Sequence, residues 1–312
     1  MINIYCSSEN GNLERLDEIK KGCWIVLTAP TQAEIERVVK TLDIDIEYIT
    51  DALDEEEKPR IEKEDSNILM IVDIPVFDPN ELESTLYYTL PLGIIVLEDY
   101  ILTVSLRSNP IIDEFVQKKI KGFFTHMKTR FSLQILYRIS EYYLRYLRQI
   151  NKRTDELERI LHKSMKNEEL YSLLSLEKSL VYFTTSLRSN EMIMEKIVRG
   201  KYIRLYDEDK ELIEEVIIEN RQAIEMSNIY SSILSGMMDA FASVISNNLN
   251  VVMKFLTSFT IILSIPTMVA SFFGMNVAVP LQSYNHAFMI TILISITLSS
   301  LLAWVFARKR FF

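Results

Sequence analysis

The chain has 312 residues, with 43 acidic and 34 basic side chains and a net charge of −9. So acidic a surface repels phosphate backbones and argues against nucleic acid as a partner. The two cysteines, Cys6 and Cys23, lack metal or redox spacing and fit a reducing compartment.

From the N-terminus, Met1-Ile2-Asn3-Ile4-Tyr5 has no basic-then-apolar pattern of a signal peptide, so the N-terminal bulk is expected to stay where it is made. Residues 1–110 read as mixed α/β. Trp24 to Thr28 is a short strand, and Thr31 with Glu34 three residues on forms a capping box for a helix whose apolar face is Ile35, Val38, Val39 and Leu42. The β-branched runs 68–76, 86–97 and 100–106, punctuated by Pro75, Pro79 and Gly93, are further strands. The run Asp54 to Glu57 reads as a solvated acidic face. Beyond Pro110 the pattern is helical, with expected helices over 111–121, 131–162, 167–198 and from 205 into the C-terminal apolar region. The last, about 69 residues or roughly 100 Å at helical rise, needs neighbours to support it, and Pro266 is expected to bend it. His126, His162 and His286 are too far apart for a zinc site, and no Walker loop, GxSxG or other catalytic motif is present. An enzyme is not expected, nor an organic cofactor.

Two apolar spans close the chain. Residues 251–273 carry Lys254 as their one charge, and residues 287–307 carry none. Each is long enough to cross a hydrocarbon core of about 30 Å, and the short connection makes them a tight hairpin. The connection lacks Lys and Arg, whereas Arg308, Lys309 and Arg310 follow the second span. Positive charge stays on the cytoplasmic side, which predicts a multi-pass protein of the cell membrane with both termini cytoplasmic. Trp304 and Tyr284 suit the two interfaces.

A 3.5-residue repeat on the long helix gathers Ser232, Gly236, Asp239, Ser243, Ser246, Asn250, Met253, Thr257, Thr260, Ser264, Thr267, Ser271 and Gly274 on one stripe. All but Met253 are polar or glycine. A coiled-coil seam would carry Leu or Ile here, so the stripe suggests copies of the helix surrounding water. The alternative is a small-residue packing face. A pore requires a symmetric oligomer, since one helix encloses nothing.

The first span ends at Gly274-Met275-Asn276. This tripeptide, before a short loop and a closing span, together with Tyr48-Ile49-Thr50-Asp51-Ala52-Leu53 and Lys58-Pro59-Arg60-Ile61-Glu62, resembles the CorA family of divalent-cation channels along nearly the whole chain. The resemblance implies a homopentameric Mg2+ channel of the lipid bilayer. It also implies a selectivity motif at Gly274, Met275 and Asn276. Asn250, Met253 and Leu256 then match the pore constriction, and Asp239 a carboxylate ring. Leu256 sits beside the stripe, and Ser264 replaces an apolar ring of the family. Asp51 and Glu215 match a regulatory Mg2+ pair between subunits, with Glu215 where Asp is commoner. Two such carboxylates, bare, would repel until Mg2+ bridged them.

Mg2+ keeps its water tightly, so a ring of Asn276 amide oxygens suits a hydrated ion. Gly274 is expected in the left-handed conformation, freeing the last helical carbonyls toward the mouth. The fold class is thus α+β/α with a membrane hairpin, divided as follows. A mixed α/β cytoplasmic domain covers 1–110, a cytoplasmic helical region 111–204 and a stalk helix 205–250. A pore-lining transmembrane helix covers 251–273, an outer loop 274–286, a second transmembrane helix 287–307 and a basic cytoplasmic tail 308–312. The function expected is Mg2+ influx gated by cytoplasmic Mg2+. The rivals are a Co2+, Ni2+ or Zn2+ transporter of the same superfamily and a non-conducting membrane-anchored coiled-coil scaffold.

Overall fold

The structure is a computed structural model that describes residues 1–8, 11–78, 86–117, 119–120, 122–161, 167–200, 202–277, 279–280 and 285–309. Pro79, Lys121, His162, Tyr284 and Arg310, all invoked above, lie outside the described residues. The chain divides into two compact units, Met1–Gly236 and Met237–Phe312.

The first unit is built on a seven-stranded sheet. Its strands are β1 (Ile2–Ser7), β2 (Leu13–Leu16), β3 (Trp24–Thr28), β4 (Arg60–Glu64), β5 (Asn67–Phe77), β6 (Tyr87–Val96) and β7 (Ile101–Ser105). Their order is β2-β1-β3-β7-β6-β5-β4. The β3–β7 pair is parallel and the others are antiparallel. Strand β3 alternates between two cores because successive side chains leave opposite faces. Ile25 and Leu27 join Ile35 and Val38 of α1 (Gln32–Leu42) and Ile49 of α2 (Glu47–Thr50). Trp24, fully buried, stands on the other face among Phe115, Phe123 and Phe131, and its indole N–H donates to Thr103 Oγ1 at 2.9 Å.

The capping box at Thr31 forms: its hydroxyl accepts from the Glu34 N–H, and Glu34 accepts from the Thr31 N–H at 2.8 Å. Helix α3 (Pro110–Val116) is shorter than the 111–121 expected. Its start is set by the Asn109 cap and Pro110 in the first turn. Its end follows from packing, because the chain must turn to bring Phe123 within 5.2 Å of Phe115 beside Trp24. The remaining helices of this unit are α4 (Lys128–Leu161), α5 (Asn167–Val198) and the first part of α6 (Asp207–Phe273).

One close approach positions the candidate regulatory residue. A single 3-10 turn, Asp51–Leu53, lies on the sheet with Ala52 fully buried. A Cβ at Gly93 in β6 would fall 2.5 Å from the Ala52 Cβ, so only glycine lets the turn sit so low. The second unit holds the rest of α6 and α7 (Ala287–Arg308). Both helices are long and apolar enough to cross a membrane. Helix α6 runs unbroken through Pro266.

Candidate functional site

Within the second unit, α6 has a covered side and an open one. Ser258 is buried, and Ile262, Ile265, Val269 and Phe273 are half-buried in the same row. Beside that row Pro266 and Ala270 line a cavity of about 480 Å3 together with Phe288, Thr291, Ile292 and Ser295 of α7. The stripe residues Asp239, Ser243, Ser246, Asn250, Met253, Thr257, Thr260, Ser264, Thr267 and Ser271 are all exposed, as is Leu256. At about 3.6 residues per turn the two rows fall on opposite sides of the helix. The stripe is therefore not how this hairpin packs on itself, which removes the intrachain form of the small-residue packing alternative.

Four hydroxyls on the stripe, those of Thr260, Ser264, Thr267 and Ser271, turn back onto the helix. Thr260 donates to Leu256 O and Ser264 to Ile261 O, each at 2.8 Å, and Ser271 to Thr267 O at 2.8 Å. Their protons are spent on the helix, so each oxygen presents lone pairs outward. A row of acceptors suits water whose own hydrogens point away from a cation.

At the end of α6, Gly274 is not left-handed; it is absent from the positive-φ glycines of the chain. The expectation fails because the helix closes differently. The Gly274 N–H donates to Ala270 O at 2.9 Å and the Met275 N–H to Phe272 O at 3.4 Å. Two of the last carbonyls are therefore capped by backbone rather than freed toward a mouth. A Cβ at Gly274 would lie 3.1 Å from Ala270 O, so glycine serves a tight closing turn. Asn276 and Met275 are exposed just beyond it.

In the first unit Asp51 is not bare, which corrects the premise of simple repulsion. Arg60 Nη2 lies 2.6 Å from Asp51 Oδ2, Nε lies 2.8 Å from Glu62 Oε1, and Nη1 pairs with Glu57. Burial works against the guanidinium charge, but Glu62, Glu57 and Asp51 outweigh it and raise the Arg60 pKa. Three carboxylates against one cation leave the cluster acidic. It borders an open cavity of about 510 Å3 lined also by Asp45, Glu47, Tyr48, Glu64 and Tyr202. Glu214 and Glu215 are exposed on α6. Among the described residues of one chain, no three His, Cys, Asp or Glu side chains gather as a metal site. Sequence reasoning quoted Arg60 within the stretch after the acidic run but missed it as a site residue. The signal available was a lone arginine between Glu57 and Glu62.

A family model described as CorA-like Mg2+ transporter protein matches residues 20–309. The cobalt/magnesium transport protein CorA of Methanocaldococcus jannaschii is 27% identical over 321 residues, covering 99% of each chain. The protein of the same description from Thermotoga maritima is 22% identical over 260 residues, covering 81% of this chain and 72% of that one. Among solved structures, the complete CorA magnesium transporter of M. jannaschii superposes with a TM-score of 0.85 at 26% identity, covering 99% of this chain and 98% of that one.

Proposed function

The chain belongs to the CorA-like Mg2+ transporter family, and we propose that it assembles as a homopentameric channel carrying hydrated Mg2+ into the cell down its electrochemical gradient. The observation that carries this reading is the acceptor stripe of α6, exposed on the side away from α7. Five copies facing inward would line water with hydroxyl oxygens, with Asn276 amides at one end and Asp239 carboxylates at the other. Weak, multiple oxygen contacts let an ion enter and leave without losing its shell. A scaffold that conducts nothing has no use for such a row, since desolvating hydroxyls and a carboxylate against another helix is costly. The relatives are described as cobalt/magnesium transport proteins, so Co2+ is the second cargo to weigh. The intact Gly274-Met275-Asn276 speaks against a zinc branch.

Both termini then face the cytoplasm, with Asp51 of one subunit and Glu215 of the next as a regulatory Mg2+ pair. Among the described residues one chain gathers no metal site at Asp51, so this pair depends on the neighbouring subunit. The deciding measurement is Mg2+ uptake into sealed vesicles containing the purified protein, with Co2+, Ni2+ and Zn2+ as competitors. Mg2+ flux inhibited by Co2+ is expected; vesicles that admit no divalent cation would sink the proposal.

A further inference from the structure

Cys6 and Cys23 have no CxxC spacing, yet the sheet sets them face to face. Strands β1 and β3 pair antiparallel with Ile4 opposite Ile25 and Tyr5 opposite Trp24, so the next rung places Cys6 opposite Cys23. The rung type follows from the far end of the same ladder. The Met1 amino group donates to Thr28 O at 2.8 Å and the Thr28 N–H to Met1 O at 3.1 Å, making that rung hydrogen-bonded. Rungs alternate, so Tyr5–Trp24 is hydrogen-bonded and Cys6–Cys23 is not. The Cys23 backbone agrees: its N–H goes to Lys20 O at 3.1 Å and its carbonyl accepts from Ile101 of β7. At a non-hydrogen-bonded rung the Cα atoms lie about 4.5 Å apart, inside the range of about 4.4–6.8 Å that a disulfide spans. The Cys6 Sγ itself leans toward Cys23, 4.0 Å from the carbonyl oxygen of Gly22.

We infer that Cys6 and Cys23, both free thiols here, are a reversible cross-strand disulfide site oxidised by low-molecular-weight disulfides. Their exposure assigns the order of events. Cys6 is part-exposed and meets the oxidant, whereas Cys23 is fully buried and resolves the intermediate. Burial pushes the Cys23 thiol up, and neighbouring Cys6 adds to this, so Cys23 does not react first. The Cys6 thiolate attacks one sulfur of glutathione disulfide, forming a Cys6–glutathione disulfide and releasing one glutathione thiolate. The Cys23 thiolate then attacks Cys6 Sγ, forming the Cys6–Cys23 bond and expelling the second glutathione thiolate. The two protein protons end on two glutathione thiols. The staple would reach the segment that leads into α4, because Ser7 exchanges hydrogen bonds with Thr125 at 3.1 and 2.9 Å.

The full-length protein in detergent, titrated with oxidised against reduced glutathione and then alkylated, tests this by peptide mapping. Both thiols should disappear together, replaced by one peptide pair joined through Cys6 and Cys23 and restored by dithiothreitol. The apparent melting temperature should rise by several degrees on oxidation. In Cys23→Ser the glutathione adduct should stall on Cys6. Three results in the unmodified chain each overturn the inference: an adduct that persists on Cys6, disulfides between separate chains, or thiols still free in poises that oxidise dithiothreitol.

Discussion

At the scale of single residues, two side chains carry separable expectations. Asn276 is exposed just past the closing turn of α6, and in the proposed channel it is a contact of the ion, not of the fold. Asn276→Ala should therefore lower Mg2+ flux at least tenfold, on the order of 1.4 kcal/mol or more in transit, while the oligomer elutes unchanged. Unaltered flux would remove Asn276 from the mechanism. Asp73 on β5 reports on the first unit instead. Its carboxylate accepts from Ser186 of α5 at 2.5 Å, and its backbone is held by Asn190 and Tyr143. Burial raises its pKa from 3.8 to about 6, against the lowering effect of the Ser186 hydroxyl. The sign is the reverse of a salt-bridged aspartate. The folded state keeps a proton that the unfolded chain loses near pH 4, so stability falls as pH rises from about 4 to about 6 and is level above that. The loss is about 3 kcal/mol. Asp73→Asn keeps an acceptor for Ser186 and should flatten the profile, leaving this unit more stable than wild type at pH 7.5. Denaturant melts at pH 5 and 7.5 check it, and an unchanged pH dependence in the variant would clear Asp73 of the role.

At the scale of elements, α6 makes the sharpest claim. In a background lacking Cys6 and Cys23, cysteines at Thr260, Ser264 and Thr267 should react with small hydrophilic thiol reagents at least tenfold faster than cysteines at Val269, on the covered row, or Ile261, which faces neither row. Equal labelling around the helix would make the stripe packing between subunits. Much of this architecture was legible from residues. The Thr31–Glu34 box, the β-branched runs of β5, β6 and β7, and the proline-free helices announced themselves because local pattern and tertiary need agree. Strands β1, β2 and β4 did not. In Arg60–Glu64 only Ile61 is apolar, so β4 exists because β5 offers it a ladder, not because its own composition demands a strand. The 111–121 helix overran for the converse reason: its propensity continues, but Phe123 is needed beside Trp24. The stripe was readable because its period is intrinsic to one helix. Arg60 was harder to read, because its partnership with Asp51 depends on a turn lowered onto Gly93 of a distant strand, which the local spacing of Glu57 and Glu62 does not encode.

At the scale of the whole molecule, the question is how Mg2+ in the cytoplasm would hold the stalk. Two bare carboxylates about 4 Å apart at an effective dielectric of about 20 repel by roughly 4 kcal/mol. Asp51 already shares a guanidinium with Glu57 and Glu62, so the repulsion that the proposed pairing with Glu215 would set up is smaller than that. A bridging ion must also compete with Arg60. This gives the two partners of Asp51 opposite effects. Replacing Asp51 by Asn together with Glu215 by Gln removes both the repulsion and the ligands, and should abolish Mg2+-dependent protection of α6 from protease. Arg60→Gln leaves the carboxylates and removes the competitor, so its protection midpoint should fall about three- to tenfold in Mg2+, as expected for loss of a part-exposed ion pair of about 1 kcal/mol. A purely structural role for Arg60 predicts the contrary, a loosened turn and a higher midpoint. Because the two variants are expected to move in opposite directions, a general loss of stability cannot mimic the pattern. If the double variant keeps the wild-type midpoint, the sensor lies elsewhere, and the exposed carboxylates of Asp54, Glu55 and Glu56 become the next to replace.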